Sequence, residues 1–269
     1  MLADGRSVSI ERPGGEVVLS TRRLDRLLEY EPGDLTVVVE AGIRLSRLQA
    51  ELSTHGQMLA LDPPGDPTIG ACLCGDLSGP RSHRYGAMRD LVIGVTVVLA
   101  DGTIASSGGK VVKNVAGYDL GKLFAGSRGR LGLVARVALR LHPRPAAEAA
   151  VVIDVDDPQA FWRQLLFSQL VPSAVDFLPP SRFALLFEGS EAAVAAQTRA
   201  VGGRAADAAV WDEVAGRQSR ARAAVEFEWQ DCLLARPGPG VAYVDAPRGG
   251  WPPLAERVRA AFDPEGALV

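Results

Sequence analysis

The stretch that decides the fold is Asp62-Pro63-Pro64-Gly65-Asp66-Pro67-Thr68-Ile69-Gly70-Ala71, and after four residues it continues as Asp76-Leu77-Ser78-Gly79-Pro80-Arg81-Ser82-His83-Arg84-Tyr85-Gly86. Proline and glycine recur too often between residues 59 and 86 for a long helix or strand. A loop of that length inside a compact domain is usually functional. Taken alone, however, a Gly/Pro-rich loop is more often only a connection.

Glycine explains why this loop is a candidate binding element. Without side chains the backbone can approach a ligand closely, and successive amide groups can then form a concave nest for phosphate oxygens. The hydroxyls of Thr68 and Ser78 could add further donors. The loop is therefore interpreted as a possible phosphate site.

A strand and a helix precede the loop. Residues 35–40 form a β-branched run that indicates a buried strand. Residues 44–55 place Leu45, Leu48 and Leu52 on one helical face, and Gly56 is a suitable residue to end that helix.

Strands follow the loop. Residues 92–99 predict a strand that turns at Asp101-Gly102 into a returning strand. Residues 132–141 alternate well enough to predict another, and the Pro- and Ala-rich residues 143–150 indicate a domain boundary.

The second half has a recognisable order of predicted elements. The order is strand, helix, strand, strand, helix, strand, which is that of a ferredoxin-like unit. The segments are residues 150–155, 158–170, 174–178, 183–188, 191–201 and 204–210. A further helix is predicted at 211–225, and loops around a short strand at 241–244 are predicted for 236–253.

Composition excludes several classes of protein. The 269 residues are 47% hydrophobic and 23% charged with a net charge of -3, which is typical of a globular protein and gives no reason to expect nucleic acid as a partner. No apolar run is long enough for a transmembrane helix and no signal sequence is recognisable, so a cytoplasmic location is expected. Three cysteines and three histidines predict neither a disulfide framework nor a metal site.

Three motifs carry a resemblance to a known family. They are residues 24–36 (LDRLLEYEPGDLT), the Pro-Pro-Gly to Tyr-Gly loop at residues 63–86, and residues 107–120 (SGGKVVKNVAGYDL). Together with residues 261–268 (AFDPEGAL), they resemble the FAD-binding domain of the vanillyl-alcohol oxidase, or PCMH-type, flavoproteins. Within that superfamily the chain is most similar to the FAD-binding E subunits of bacterial glycolate oxidases.

The resemblance implies an α+β fold. Residues 1–145 would be a PCMH-type FAD-binding domain, shortened at its N-terminus, and residues 146–235 a ferredoxin-like α+β cap domain. Residues 236–269 would return to the FAD-binding domain. The family's first flavin subdomain is nearly missing, and Asp4-Gly5-Arg6-Ser7 is interpreted as a remnant of its pyrophosphate loop.

FAD is the implied cofactor, and the resemblance assigns its contacts. The turn at residues 68–71 would place amides against the pyrophosphate and the flavin ring, while Gly132 and Val134 would offer backbone to the adenine. The implied cofactor-binding residues are Pro63, Pro64, Gly65, Thr68, Ile69, Gly70, Ala71, Asp76, Ser78, Gly79, Tyr85, Gly86, Asp90, Lys110, Gly132 and Val134.

Other residues are weaker candidates. Lys113, Asn114 and Tyr118 either line the site or cap a structural loop, and Asp90 and Lys110 are either contacts or solvated charges. Ala71 stands where the family usually has a second glycine, and Gly75-Asp76 replace a Thr-Asn pair. These differences weaken the assignment of cofactor contacts at those positions.

The implied function is an FAD-binding subunit of a 2-hydroxyacid (glycolate-type) oxidase or dehydrogenase complex. It would work beside a catalytic flavoprotein subunit and an iron-sulfur subunit, and could lie at the inner membrane through these partners. No catalytic residue is assigned, because none of the three histidines lies in residues 146–234 and a 2-hydroxy acid needs a base and a cation. The isolated arginines Arg182, Arg199 and Arg222 could bind a carboxylate. The alternatives are a non-catalytic assembly subunit with a degenerate flavin site and a stand-alone FAD-dependent oxidoreductase.

Overall fold

The computed structural model describes residues 7–12, 15–109, 120–246, 252–264, 266 and 268. The strands in chain order are β1 (Ser7–Arg12), β2 (Gly15–Ser20), β3 (Leu27–Glu31), β4 (Thr36–Glu40), β5 (Gln57–Met58), β6 (Val92–Val98), β7 (Ile104–Gly108), β8 (Leu133–Arg140), β9 (His142–Pro143), β10 (Ala147–Asp154), β11 (Ala174–Leu178), β12 (Arg182–Gly189), β13 (Arg204–Ala206), β14 (Ala223–Glu226), β15 (Leu234–Arg236) and β16 (Val241–Val244). The helices are α1 (Leu45–Ser53), α2 (Ile69–Gly75), α3 (Ser82–Tyr85), α4 (Met88–Leu91), α5 (Leu120–Phe124), α6 (Pro158–Leu166), α7 (Glu191–Val201), α8 (Ala209–Arg220) and α9 (Pro253–Phe262).

The chain forms two compact units. The first unit consists of Met1–Ser78, Ala87–Arg144 and Gly250–Val269, and the second of Gly79–Gly86 and Pro145–Gly249. The expected C-terminal segment 236–269 is thus divided, because β15 and β16 are strands of the second unit's sheet. The short segment Gly79–Gly86 also belongs to the second unit, which the sequence did not predict.

An antiparallel sheet of order β3-β4-β8-β6-β7 forms the centre of the first unit. Val37 faces Leu139 across β4 and β8, and Val95 faces Val137 across β6 and β8. These valines and Leu139 are at most 4% exposed. Alternation with period two places such residues on one face, so this face carries the core.

Helix α1 covers that core as the leucine spacing predicted. Leu45, Leu48 and Leu52 are all buried in the same cluster as Val37 and Leu139. The Gly/Pro-rich loop does lack long elements, but it contains the short helices α2, α3 and α4. The β1–β2 hairpin and β3 were not predicted.

The second unit has a seven-stranded sheet of order β13-β10-β12-β11-β15-β16-β14. From β10 to β13 the chain follows the order β-α-β-β-α-β, with α6 and α7 as the helices. Phe177, Phe183 and Phe187 pack in one cluster with residues of α6 and α7, whereas α8 contributes Val210 and Val214 to a separate cluster.

The predicted helix at 211–225 is wrong at its C-terminal end. Helix α8 spans Ala209–Arg220, and the next residues form β14, because the amide of Arg222 donates to the carbonyl of Val244 and β14 pairs with β16. The strand predicted at 204–210 likewise ends at Ala206, where the chain turns into α8. Helix α9 was not predicted. Among the helices so described, none has the length and apolar character needed to cross a bilayer.

Candidate functional site

The Gly/Pro-rich loop is fixed against the end of β4 and the start of α1. Both carboxylate oxygens of Asp66 accept hydrogen bonds from Ser46, one from its amide and one from its hydroxyl, each at 2.9 Å. The amide of Leu45 donates to the carbonyl of Pro67 at 3.0 Å. Asp66 therefore serves as an N-terminal cap for α1, and it holds the loop at that helix terminus.

The amides of residues 69–71 in the predicted turn have acceptors within the protein. Ile69 donates to the carbonyl of Ile43 at 3.0 Å, Gly70 to that of Ala41 at 2.7 Å, and Ala71 to the hydroxyl of Thr68 at 3.2 Å. The bonds of Ile69 and Gly70 attach α2 to the end of β4, and the bond of Ala71 caps α2. In this structure the three amides are thus engaged within the protein, and the contact of the turn with the pyrophosphate stays a prediction.

Gly70 has a structural reason to be glycine. A Cβ atom at this position would lie 2.9 Å from the carbonyl oxygen of Ala41 and 3.0 Å from its Cβ. The close approach that the sequence indicated is thus an approach of backbone to backbone. Gly65, by contrast, is exposed with a φ of +75° and has open space around it, while Pro63 is buried and Pro64 half-buried.

Ala41 brings two predicted site segments together. It accepts the amide of Gly70, and its own amide donates to the carbonyl of Ala135 on β8 at 2.9 Å. Residues 68–71 and the start of β8 are therefore neighbours on either side of Ala41. Ala41 was not among the predicted site residues, although the sequence signal was present, since Ala41-Gly42 ends the β-branched run.

The start of β8 extends beyond its partner β4. Pairing between these strands ends at Glu40 opposite Arg136, so Leu133 and Val134 lie past the last paired position on that side. Gly132 precedes them with a φ of +149°, and a Cβ there would lie 2.9 Å from the carbonyl oxygen of Val98. Among the described residues, none of β4 pairs with Leu133 or Val134, whereas on the other side these two residues pair with Val98 and Val97 of β6. That Gly132 and Val134 offer main-chain groups to the adenine stays a prediction.

The C-terminal end of α2 is covered by the loop before β8. The amide of Gly126 donates to the carbonyl of Leu73 at 3.0 Å, and that of Arg128 to the carbonyl of Cys74 at 2.8 Å. Asp76 ends α2 in a left-handed conformation with φ of 47°. Burial raises the pKa of the Asp76 carboxyl, and the nearby Arg89 opposes that shift.

Ser78 and Asp90 stabilise the turn around α4. The amide of Met88 donates to the Ser78 hydroxyl at 3.3 Å, and the amide of Ala87 donates to the Asp90 carboxylate at 2.9 Å. Asp90 is therefore a helix cap. Lys110, Lys113, Asn114, Tyr118 and residues 4–6 lie outside the described residues.

The remaining predicted contacts, Gly79, Tyr85 and Gly86, belong to the second unit. The Tyr85 hydroxyl donates to the carboxylate of Glu188 at 3.1 Å. Burial, followed by the negative charge of Glu188, raises the pKa of Tyr85. Sequence reasoning missed Glu188, although a single acidic residue ending the apolar run Phe-Ala-Leu-Leu-Phe is an unusual signal.

His83, a residue of the Gly/Pro-rich loop, is also in the second unit. Its ring stacks edge-on against Trp162, and its Nδ1 is buried without a hydrogen-bond partner among the described residues. Burial lowers its pKa, so the ring is neutral at pH 7. A Cβ at Gly238 would lie 2.0 Å from Nδ1, which means that the backbone of Gly238 contacts the ring edge.

Arg182 contacts both carboxylate oxygens of Glu213 at 2.6 Å, so its charge is already paired. Burial raises the pKa of Cys72 to about 12 and that of Cys74 to about 11, so both are protonated thiols at neutral pH.

A family model described as an FAD binding domain matches residues 1–108. These residues include strands β3, β4, β6 and β7 of the first unit's sheet. They also include the Gly/Pro-rich loop, which is hydrogen-bonded to Ala41. Residues 1–108 are thus similar to an FAD-binding domain. FAD is accordingly the cofactor of this domain, and its PCMH-type fold is the one that the sequence predicted.

The curated relatives include glycolate oxidase subunits and a D-lactate dehydrogenase. The chain is 31% identical to glycolate oxidase subunit GlcE of Escherichia coli over 212 residues, which is 77% of this chain and 60% of that protein. It is 34% identical over 166 residues to D-lactate dehydrogenase [cytochrome] 1 of Saccharomyces cerevisiae, covering 61% of this chain and 28% of the relative. It is 32% identical over 169 residues to glycolate oxidase subunit GlcD of Bacillus subtilis, covering 61% and 36%. The chain thus spans between about a quarter and three fifths of the relatives that it matches.

Solved structures share the fold. A structure of alkyldihydroxyacetonephosphate synthase superposes with a TM-score of 0.59 at 20% identity, over 71% of this chain and 44% of that one. At this identity the likeness concerns the fold alone.

Proposed function

We propose that the chain is the FAD-binding subunit of a 2-hydroxyacid oxidase or dehydrogenase complex of the glycolate oxidase type. The observation that supports this most is the similarity to the E. coli subunit GlcE, because a match of 212 residues is too long to be confined to residues 1–144. It therefore extends into the second unit. The shorter matches to D-lactate dehydrogenases are compatible with the same class of substrate.

In this proposal the first unit binds FAD through residues 68–71 and 132–134. Since the amides of residues 69–71 are occupied, the contacts there come from other atoms of the turn. On the β4 side of β8, where no described residue pairs with Leu133 or Val134, main-chain groups would be offered to the adenine ring. When bound, FAD would supply a redox centre that accepts electrons and passes them on.

The described residues offer little acid-base equipment for oxidising the substrate. The buried His83 contacts Trp162 and Gly238, and Arg182 is paired with Glu213. We therefore assign this chain to electron transfer, and the oxidation of glycolate or lactate to a catalytic flavoprotein subunit. An iron-sulfur subunit is the proposed acceptor, and the complex is placed in the cytoplasm, peripheral to the inner membrane through its partners.

The test uses the purified chain and its co-expressed partners. FAD, FMN and riboflavin are titrated separately, and binding is followed by quenching of flavin fluorescence. We expect FAD to bind at least about a hundredfold more tightly than riboflavin, because only FAD has the diphosphate and the adenine that the first unit would hold. Glycolate and D-lactate oxidation with an artificial electron acceptor is then measured for the chain alone and for the complex.

Each outcome separates two functions. Turnover by the complex but not by the isolated chain supports the proposal. Turnover by the isolated chain indicates a stand-alone oxidoreductase. A colourless protein that does not bind FAD, alone or with its partners, indicates an assembly subunit and contradicts the proposal.

A further inference from the structure

Strand β14 lies at one edge of the second unit's sheet. It is the last strand in the order of that sheet, and among the described strands it pairs only with β16. Ala224, Val225 and Glu226, three of its four residues, are exposed. An edge strand carries a row of main-chain donors and acceptors with which another strand can pair. The edge of β14 is therefore a candidate interaction surface.

The side of β14 that faces away from β16 is open at Ala224 and Glu226. The amide of Phe227 donates to the carbonyl of Gly240 at 3.0 Å, so Phe227 directs its amide to the β16 side. Because these directions alternate along an antiparallel strand, the main-chain groups of Glu226 and Ala224 are directed to the edge. The amide of Arg222 is bonded to the carbonyl at the end of β16, so the open stretch is short.

Charged residues are placed symmetrically about Ala224. Arg222 stands two residues before it and Glu226 two residues after it, while Arg220 and Glu228 continue the pattern at four residues. All four charged residues are exposed, and none of them has an ion-pair partner among the described residues. The segment 220–228 therefore reads Arg-x-Arg-x-Ala-x-Glu-x-Glu, which is complementary in charge to its own reverse.

We propose that β14 pairs with β14 of a second copy of this chain, antiparallel and about a two-fold axis at Ala224. In this register each Arg222 lies opposite the second copy's Glu226, and each Arg220 opposite the second copy's Glu228. Opposite charges across a strand pair stabilise it, whereas like charges destabilise it. A two-fold interface also uses the same edge of both copies, so the dimer is closed at β14.

The order of the charges distinguishes this role from simple protection of the edge. Edge strands often carry charges, especially lysine, that keep other strands away. Charges of a single sign suit that purpose, because like charges then meet in every register. The segment 220–228 instead has two positive charges at one end and two negative charges at the other. This order opposes parallel pairing of two copies and favours the antiparallel pair.

Sedimentation velocity of the full-length chain measures the dimer. An interface of one short strand is small, so we expect monomer and dimer to exchange between about 1 and about 200 µM chain. Arg222→Glu and Glu226→Arg each place like charges opposite each other at two symmetric positions, and each should raise the Kd of the dimer at least about tenfold. Dimerisation through β14 needs no flavin, so this test is independent of the proposed function.

Mixing the two variants is the decisive measurement. In a mixed dimer the introduced glutamate faces the introduced arginine, and the native Glu226 faces the native Arg222. The equimolar mixture should therefore form heterodimers with a Kd within about threefold of the wild type. The double variant Arg222→Glu/Glu226→Arg should dimerise equally well, since both of its pairs are again of opposite charge.

Arg199→Glu is the matched control, because Arg199 is an exposed arginine of α7 in the same unit. It changes the net charge by the same amount and should dimerise like the wild type. Circular dichroism verifies that each variant is folded. A wild type that stays monomeric at the highest concentration overturns the proposal, even if the edge then binds another subunit. Single variants that dimerise like the wild type overturn it too, and so does a mixture that stays monomeric.

Discussion

Glycine at position 70 is required by a contact within the chain. The sequence indicated a close approach of the backbone to a ligand at this position, and that contact stays a prediction. The close approach that the structure shows is to Ala41 of the same chain. A sequence cannot distinguish these cases, because both exclude a Cβ.

A substitution at Gly70 should therefore affect stability. In Gly70→Ala the new Cβ meets the carbonyl of Ala41, and we expect a loss of about 1–3 kcal/mol in the free energy of unfolding, as for other overpacked sites. The gain in helix propensity offsets about 1 kcal/mol at most. Urea unfolding in the absence of flavin measures the change.

Gly33→Ala is the control for that substitution. A Cβ at Gly33 would have no atom within 4 Å, so its effect should stay within about 0.5 kcal/mol. If Gly70→Ala unfolds like the wild type but binds FAD more weakly, the close approach at Gly70 serves the ligand, and its assignment to Ala41 is wrong.

Among the elements, those with a strong periodic pattern were predicted well. The helix predicted from the leucine spacing of α1 and the strand predicted at 174–178 correspond to elements at the expected positions. Strand β14 was missed because three of its four residues are exposed, so no alternation marks it. Helix α9 has no fully buried residue, which removes the signal of a core-facing stripe.

Helix α1 also shows that a loop can supply a helix cap from far along the chain. Asp66→Ala removes both bonds to Ser46, and we expect a loss of about 1 kcal/mol, within the range for N-caps. Asp66→Asn keeps one acceptor oxygen and should lose less. Thermal unfolding monitored by circular dichroism measures both variants.

The matched control on the same helix is Asp25→Ala. Asp25 pairs with Arg47 of α1 at 3.1 Å, and both side chains are about half exposed. Such a pair contributes little, so the change should be clearly smaller than for Asp66→Ala. Equal effects of the two substitutions would show that Asp66 is only a surface charge.

At the scale of the whole molecule, stability should depend on pH through His83. Burial lowers the pKa of His83 in the folded state below its ordinary value of 6.5. The unfolded chain then binds the proton first, so stability is complete above about pH 6.5 and decreases as the pH falls through and below that value. The slope contributed by one such group is at most about 1.4 kcal/mol per pH unit.

Urea unfolding between about pH 7.5 and 5, followed by tryptophan fluorescence, measures this slope in the second unit, where Trp162, Trp211 and Trp229 lie. His83→Phe should flatten the slope, whereas substituting the exposed His55 in the same way should leave it as in the wild type. A slope that persists in His83→Phe would assign the effect to other groups.

The second unit is built from two separate parts of the chain, and the earlier part is synthesised long before the later one. The guanidinium of Arg81 bonds to Glu188, which lies 107 residues later in the chain, so during synthesis the segment Gly79–Gly86 lacks this contact until β12 is made. In a fragment that ends at residue 144, this segment would lack its contacts with Glu188, and we expect trypsin to cleave it readily after Arg81 and Arg84. Efforts to obtain the flavin domain by itself should therefore retain Glu188 and the strand that bears it.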